Sequence, residues 1–357
     1  MKLKNKIQLV AKIIPTILLT GLLFSGTALA DTLPTNEYPT PTSGSDPFGI
    51  TAGPDGNIWF TESDRNKIGK VTTSGSFTEY TIPTNGVEPF GITTGPDGNI
   101  WFTEANGEQI GKVTTSGSFT EYPVPTNTAA PHGIVAGPDG NLWFTENNSN
   151  KIGKVTTSGS FTEYNIPTSA SGPYGITSGP DGNLWFTEFN TNKIGKVTTS
   201  GSFTEYPVTT TGSEPVDITA GPDGNLWFSE FSGNNIGKIT PSGTITEYAI
   251  PTNSSDPFGI KSGADGNIWF DEFNTNQVGK LVLPIPPTNT NSSSPTSTTT
   301  STGAKTASTP KSPDTGFGTP ASRNYIALIA MTVMSIAFIG VGYTLRLSRK
   351  RNNSNFF

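Results

Sequence analysis

Gly53-Pro54-Asp55-Gly56-Asn57-Ile58-Trp59-Phe60-Thr61-Glu62 is the stretch that decides the fold, because the chain repeats it. Trp59 returns as Trp101, Trp143, Trp185, Trp227 and Trp269, each 42 residues after the last, and these are all six tryptophans. Self-similarity at such a period signals a repeat architecture. Within one unit, residues 48 to 84, Phe48 to Ala52 reads as a first short strand. Pro54-Asp55-Gly56-Asn57 then turns the chain, since Asp-Gly supplies the positive φ of a tight hairpin. Ile58 to Glu62 is a second strand, with Ile58 and Phe60 on one face and Trp59 and Thr61 on the other. Apolar residues on both faces call for cover on both. Lys67 to Val71 is a third strand, Thr73-Ser74-Gly75 a turn, and Phe77 to Ile82 a fourth.

Four strands per 42 residues match a propeller blade. One blade cannot bury both its faces alone, so its Trp, Phe and Ile must pack against neighbouring blades. The repeat opens in mid-blade, with Asn36-Glu37-Tyr38-Pro39 aligned on Thr78 to Thr81. It ends after a third strand, Gln277-Val278-Gly279-Lys280. The expectation is an all-β, six-bladed β-propeller over residues 31–286, its N-terminal strand completing the last blade and protecting the edge.

The ends read differently. Lys2, Lys4, Lys6 and Lys12, the apolar run Ile13 to Phe24 and Ala28-Leu29-Ala30 form a signal peptide, 1–30, cut between Ala30 and Asp31. The alternative is an uncleaved anchor, for which the apolar run is short. Residues 287–311 are a Ser/Thr/Pro-rich stalk that cannot pack a core. Residues 312–316 are Ser312-Pro313-Asp314-Thr315-Gly316. Residues 325–345 form an apolar helix just long enough to span a bilayer. The basic tail 346–357 places that end in the cytoplasm. This order resembles a Gram-positive cell-wall sorting signal, whose pentapeptide is Leu-Pro-any-Thr-Gly. Pro313, Thr315 and Gly316 match, and Ser312 departs from the Leu. The resemblance implies that a sortase cuts between Thr315 and Gly316 and joins Thr315 to the cell wall. The alternative is a plain membrane anchor. Either way the propeller is secreted and displayed at the cell surface.

The whole chain of 357 residues carries 22 Lys and Arg against 28 Asp and Glu. Only 11 of the bases but 27 of the acids lie in residues 31–286, a balance of -16. Such a surface repels phosphate backbones, so nucleic acid is excluded as a partner. With no cysteine there is neither a disulfide framework nor a thiolate metal site. An extracellular ligand remains, in the form of a glycan, a peptide or a cation.

Propellers gather ligands at one end of the central channel. The position entering each first strand runs Phe48, Phe90, His132, Tyr174, Val216, Phe258, and two residues earlier stand Asp46, Glu88, Ala130, Gly172, Glu214, Asp256. The second strands end in Glu62, Glu104, Glu146, Glu188, Glu230 and Glu272. This register gives one face a ring of carboxylates with aromatic rings among them. Clustered carboxylates raise one another's pKa or recruit a cation. A Glu in every blade can equally serve the blade by accepting turn hydrogen bonds. His132 is the only histidine and lies fourteen residues before Glu146. A His beside a carboxylate can act as general base or metal ligand. It can also be one more ring where other blades use Phe or Tyr. Asp217 breaks the pattern by replacing the Gly of the other blades.

Pro131-His132-Gly133-Ile134-Val135-Ala136-Gly137-Pro138-Asp139-Gly140-Asn141-Leu142-Trp143-Phe144-Thr145-Glu146 resembles a blade of the streptogramin B, or virginiamycin B, lyases. The resemblance covers residues 37–286. It implies a propeller that opens a cyclic depsipeptide by eliminating across its ester, with Mg2+ polarising the substrate and a His removing the proton next to the carbonyl. It implies a site built from one His on each of two adjacent blades and two Glu on the later blade, two residues before the second His and fourteen after it. With His132 as second His, Glu146 matches, but Ala130 and Phe90 do not. With His132 as first His, Glu188 matches, but Tyr174 and Gly172 do not. Family members typically have seven blades, against six here. The chain therefore reads first as a surface-anchored binding module with an incomplete lyase site. The alternative is a divergent Mg2+-dependent lyase with His132 as base and Glu146 and Glu188 as metal ligands. A spacer or coat element is the third reading.

Overall fold

The computed structural model describes residues 38–284. The expected signal cleavage at Ala30 and Asp31, the stalk, the pentapeptide, the apolar helix 325–345 and the basic tail lie outside those residues. Among the described residues no helix is long and apolar enough to cross a membrane.

The architecture is a six-bladed β-propeller with almost no helix. Five blades are four-stranded antiparallel sheets in simple sequence order. In blade one the strands are Pro47–Ala52, Ile58–Glu62, Lys67–Val71 and Phe77–Thr81. The second strand is wholly buried in each of these five blades, as apolar side chains on both its faces demand. The turn before it does more than reverse the chain. Gly56 sits at φ 74°, and Asp55 Oδ1 accepts the Trp59 indole N–H at 3.0 Å. The same Asp–Trp bond recurs in all six blades. It satisfies the one polar atom of the tryptophan, so the ring can be buried.

Each buried tryptophan faces the following blade. Trp59 packs with Ile92, Ile100 and Phe102 of blade two, and Trp101 with Ile134, Leu142 and Phe144 of blade three. Trp143, Trp185 and Trp227 continue the series into blades four, five and six. Polar bonds follow the same path. Thr61 Oγ1 donates to the Phe90 carbonyl at 3.0 Å, and Thr103, Thr145, Thr187 and Ser229 repeat that bond into each next blade.

The junction of blade six with blade one differs. Blade six shows three strands among the described residues. Trp269 is only half-buried. Asp271 replaces the bridging Thr, and its Oδ1 accepts from Phe258 N and Gly259 N within its own blade. Residues 36 and 37 of the expected closing strand lie outside the described residues. Tyr38 does lie against Gly75 as Tyr80 lies against Gly117 in the next blade. Thr42 likewise donates its N–H and hydroxyl to Glu79, as Thr84 does to Glu121. The start of the described chain thus stands against blade one as the end of every fourth strand stands against its successor.

Candidate functional site

A bulge builds the channel mouth. In blade three Pro131 pairs with Glu146 and Ile134 with Phe144, which leaves one extra residue on the first strand. Blades one, two, four and five share the irregularity. Bulges re-aim side chains at the rims of sheets. The residue re-aimed here is the one expected at the mouth, and Thr103 Oγ1 holds the His132 carbonyl at 2.7 Å.

The side chains so placed meet one another. His132 lies edge-on to Phe90 at 4.5 Å and stacks on Tyr174 at 4.9 Å. Phe90 touches Tyr174, Tyr174 touches Phe258, and Phe258 touches Phe48, with centroids 5.6, 5.8 and 5.9 Å apart. Blades one, two, three, four and six thus contribute to one aromatic cluster. Blade five supplies Val216 instead. Beside it Asp217 accepts Ile218 N at 2.8 Å, Ile260 N at 3.2 Å and Lys261 Nζ at 3.4 Å. Its replacement of the usual Gly is thus a link between blades five and six. Two residues before each mouth position the backbone turns left-handed, with φ 49° at Asp46 and Glu88 and 44° at Ala130. That conformation strains an Ala and suits the Gly172 of blade four.

The carboxylates that end the second strands take another direction from the expected ring. They share a face with the Phe two residues earlier and lean over the third strand toward the fourth. Glu146 Oε2 accepts from Ser149 Oγ at 2.6 Å, Glu188 Oε2 from Thr191 Oγ1 at 2.7 Å, and Glu230 Oε2 from Asn235 Nδ2 at 3.1 Å. All three side chains are fully buried. Burial raises their carboxyls, and that of Glu62, from 4.5 to about 7. Burial and then the nearby Glu121 carboxylate raise Glu104 to about 8. Glu146, Glu188 and Glu230 thus each take a hydrogen bond inside their own blade, while the oxygens of Glu62 and Glu104 have no hydrogen-bond partner.

His132, Glu146 and Glu188 are therefore not brought together as a ligand set. Among the described residues no three His, Asp or Glu side chains gather in a metal-binding group. The family's magnesium does not fit the residues present. One histidine serves the whole chain, Phe90 and Tyr174 offer rings where the second would stand, and Glu146 and Glu188 are held inside their blades by Ser149 and Thr191. Sequence reading also passed over Gln109 and Asp271. Both could have been found as departures from the 42-residue pattern, since three of the five positions that match Gln109 carry Lys and four of the five that match Asp271 carry Thr.

Blades that repeat one sheet and bridge hydroxyl to carbonyl into the next blade define a β-propeller. A model of the virginiamycin B lyase family matches residues 134–284. The chain is 47% identical to a catalytically inactive histidine-to-alanine variant of virginiamycin B lyase from Staphylococcus aureus, solved with quinupristin. That match covers 70% of this chain and 84% of the lyase, with a TM-score of 0.67. A streptogramin B lyase structure is 43% identical over 70% of this chain and 83% of its own, with a TM-score of 0.68. The chain belongs to the virginiamycin B lyase family. At 17% identity and a TM-score of 0.56, a 6-phosphogluconolactonase-like structure from Bacteroides uniformis shares the fold alone, covering 69% of this chain and 82% of its own.

Proposed function

We propose that this is a surface-displayed binding propeller of the lyase family, which holds a cyclic depsipeptide or related peptide at the channel mouth without opening it. The observation that carries the reading is the mouth itself. Rings of Phe48, Phe90, His132, Tyr174 and Phe258 pack together there, and the family's ligand set is incomplete. Stacked and edge-on rings hold flat apolar groups well. The half-buried Asp46, Glu88, Glu214 and Asp256 beside them favour a ligand that carries positive charge. The signal peptide, stalk and sorting signal read in the sequence support display outside the cell on a tether.

Quinupristin is the probe, because a solved relative holds it. Calorimetric titration into the purified chain with magnesium is expected to show binding, and chromatography to recover the ring closed. Tyr174→Ala is expected to weaken binding about tenfold, from loss of one aromatic contact. Rapid magnesium-dependent conversion to the linear product would overturn the reading.

A divergent lyase is the second reading. It is favoured by 47% identity to a lyase and by a histidine standing at the mouth. It requires His132 as base, so turnover that survived His132→Ala would end it.

A further inference from the structure

Blades one, three and four each place a lysine ammonium at one spot beside the fourth strand. Lys67 Nζ lies 2.6 Å from Glu79 Oε2 and 2.7 Å from Thr42 Oγ1. Lys151 Nζ lies 2.9 Å from Glu163 and 2.5 Å from Thr126. Lys193 Nζ lies 3.1 Å from Glu205 and 2.5 Å from Thr168. In each case a positive charge fills the space between a fourth-strand carboxylate and a threonine leaving the preceding blade.

Blade two keeps the acceptors and lacks the cation. Glu121 accepts Thr84 N and Oγ1, both at 3.2 Å, but Gln109 stands where the lysine should be. The second carboxylate here is Glu104. It is fully buried, and neither of its oxygens has a hydrogen-bond partner. The same is true of Glu62 in blade one, but Lys67 stands near Glu62, and among the described residues no lysine stands near Glu104. Strand register shows where it points. Glu104 pairs with Gln109, and Gly111 pairs with Glu121, so the three polar side chains share one face. Gly111 leaves room that the Phe102 ring and Glu104 share, with the ring closest to where a Cβ on that glycine would sit and Glu104 Oε1 2.7 Å from the same point. Two carboxylates thus converge on a spot that three sibling blades fill with positive charge. A buried unpaired carboxylate is expensive unless something neutralises it.

We propose that blade two binds a small hard cation of the calcium class in place of the missing ammonium, held by Glu104, Glu121, the Thr84 hydroxyl and the Gln109 amide oxygen. All four donors are oxygen, and calcium accepts irregular oxygen sets completed by water. The site sits beside the third and fourth strands, apart from the channel mouth. Blade five does not repeat it. There Asn235 Nδ2 itself reaches Glu230 Oε2 and Thr210 Oγ1, so an amide occupies the spot. In blade six Gln277 stands at the lysine position and pairs with Glu272, while Glu37, the counterpart of the fourth-strand carboxylate, lies outside the described residues.

The test is calcium titration of the purified full chain, followed by calorimetry and by melting temperature. The wild-type chain is expected to bind calcium and to melt about 5 °C higher at a hundred times the dissociation constant. Gln109→Lys restores the sibling arrangement, so it folds, and it is expected to lose one calcium and the melting shift. Lys67→Gln recreates the blade-two arrangement in blade one and is expected to gain one calcium. A wild-type chain that binds no calcium overturns the proposal. So does a Gln109→Lys variant with undiminished stoichiometry, or a Lys67→Gln variant that gains no site.

Discussion

Trp143→Ala is expected to destabilise the propeller by about 3–5 kcal/mol, the range for removing a large buried aromatic side chain. Trp269→Ala, a chemically identical change, is expected to cost only about 1 kcal/mol, in line with a site not fully enclosed. Trp143 is fully buried and packs with Ile176, Leu184 and Phe186 of the next blade. Trp269 makes the same indole bond to Asp265 at 3.0 Å, yet its ring is half-buried where blade six meets blade one. Sequence and hydrogen bonding are therefore matched, and the difference isolates inter-blade packing. In repeat proteins each unit leans on its neighbours, so stability is largely a sum of interface contributions. Denaturant midpoints of the two variants give the comparison. Equal losses would mean that the sixth junction is packed as tightly as the other five.

The same residues show what could be read ahead of the structure. The 42-residue recurrence of Gly-Pro-Asp-Gly-Asn and Trp gave the blades almost strand for strand. Ile58–Glu62 and Lys67–Val71 were placed to the residue, because alternation and the Asp-Gly turn leave little freedom in register. The mouth position was also legible, since its residue type varies while the surrounding repeat does not. The direction of Glu62 and its counterparts was not. Period-two alternation assigns a side chain to a face of the sheet, but a blade has a neighbour on each face and the channel along one edge. Whether a glutamate at a strand end leans toward the channel or over the third strand depends on open space. In blade two Gly111 provides part of that space for Glu104. That the rings of Phe90, His132 and Tyr174 touch was not legible for a related reason, since the bulge that re-aims them leaves no sequence mark of its own.

Stability is expected to peak in mild acid and to fall as the pH rises to neutral. Glu62, Glu146, Glu188 and Glu230 have folded pKa values of about 7, and Glu104 of about 8, against 4.5 for an ordinary glutamate. Between those values the folded state holds protons that the unfolded state has released, so stability decreases with each step up in pH. Their full contribution is present below about pH 4.5 and is lost by about pH 8. Asp271, raised to about 7 by burial, adds in the same direction. The opposite limb comes from Asp55, Asp97, Asp139, Asp181, Asp223 and Asp265. Hydrogen bonds from Trp and Asn hold these below their usual value despite partial burial. Glu79, Glu163 and Glu205 are likewise lowered by lysine and threonine donors. Those groups stabilise the fold above their unfolded pKa, and that stability is lost as the pH falls through their folded pKa. A full shift is worth about 1.4 kcal/mol per unit, and relaxation around each carboxyl reduces this to about 1–2 kcal/mol per group. The melting temperature in the presence of a chelator is then expected to be about 10 °C higher at pH 5 than at pH 8. Glu104→Gln keeps the shape and removes the most strongly raised group, so its melting temperature should depend less steeply on pH over that range. A chelated wild-type chain that melted higher at pH 8 than at pH 5 would show that these carboxylates ionise freely, and that the blade faces around them are wet.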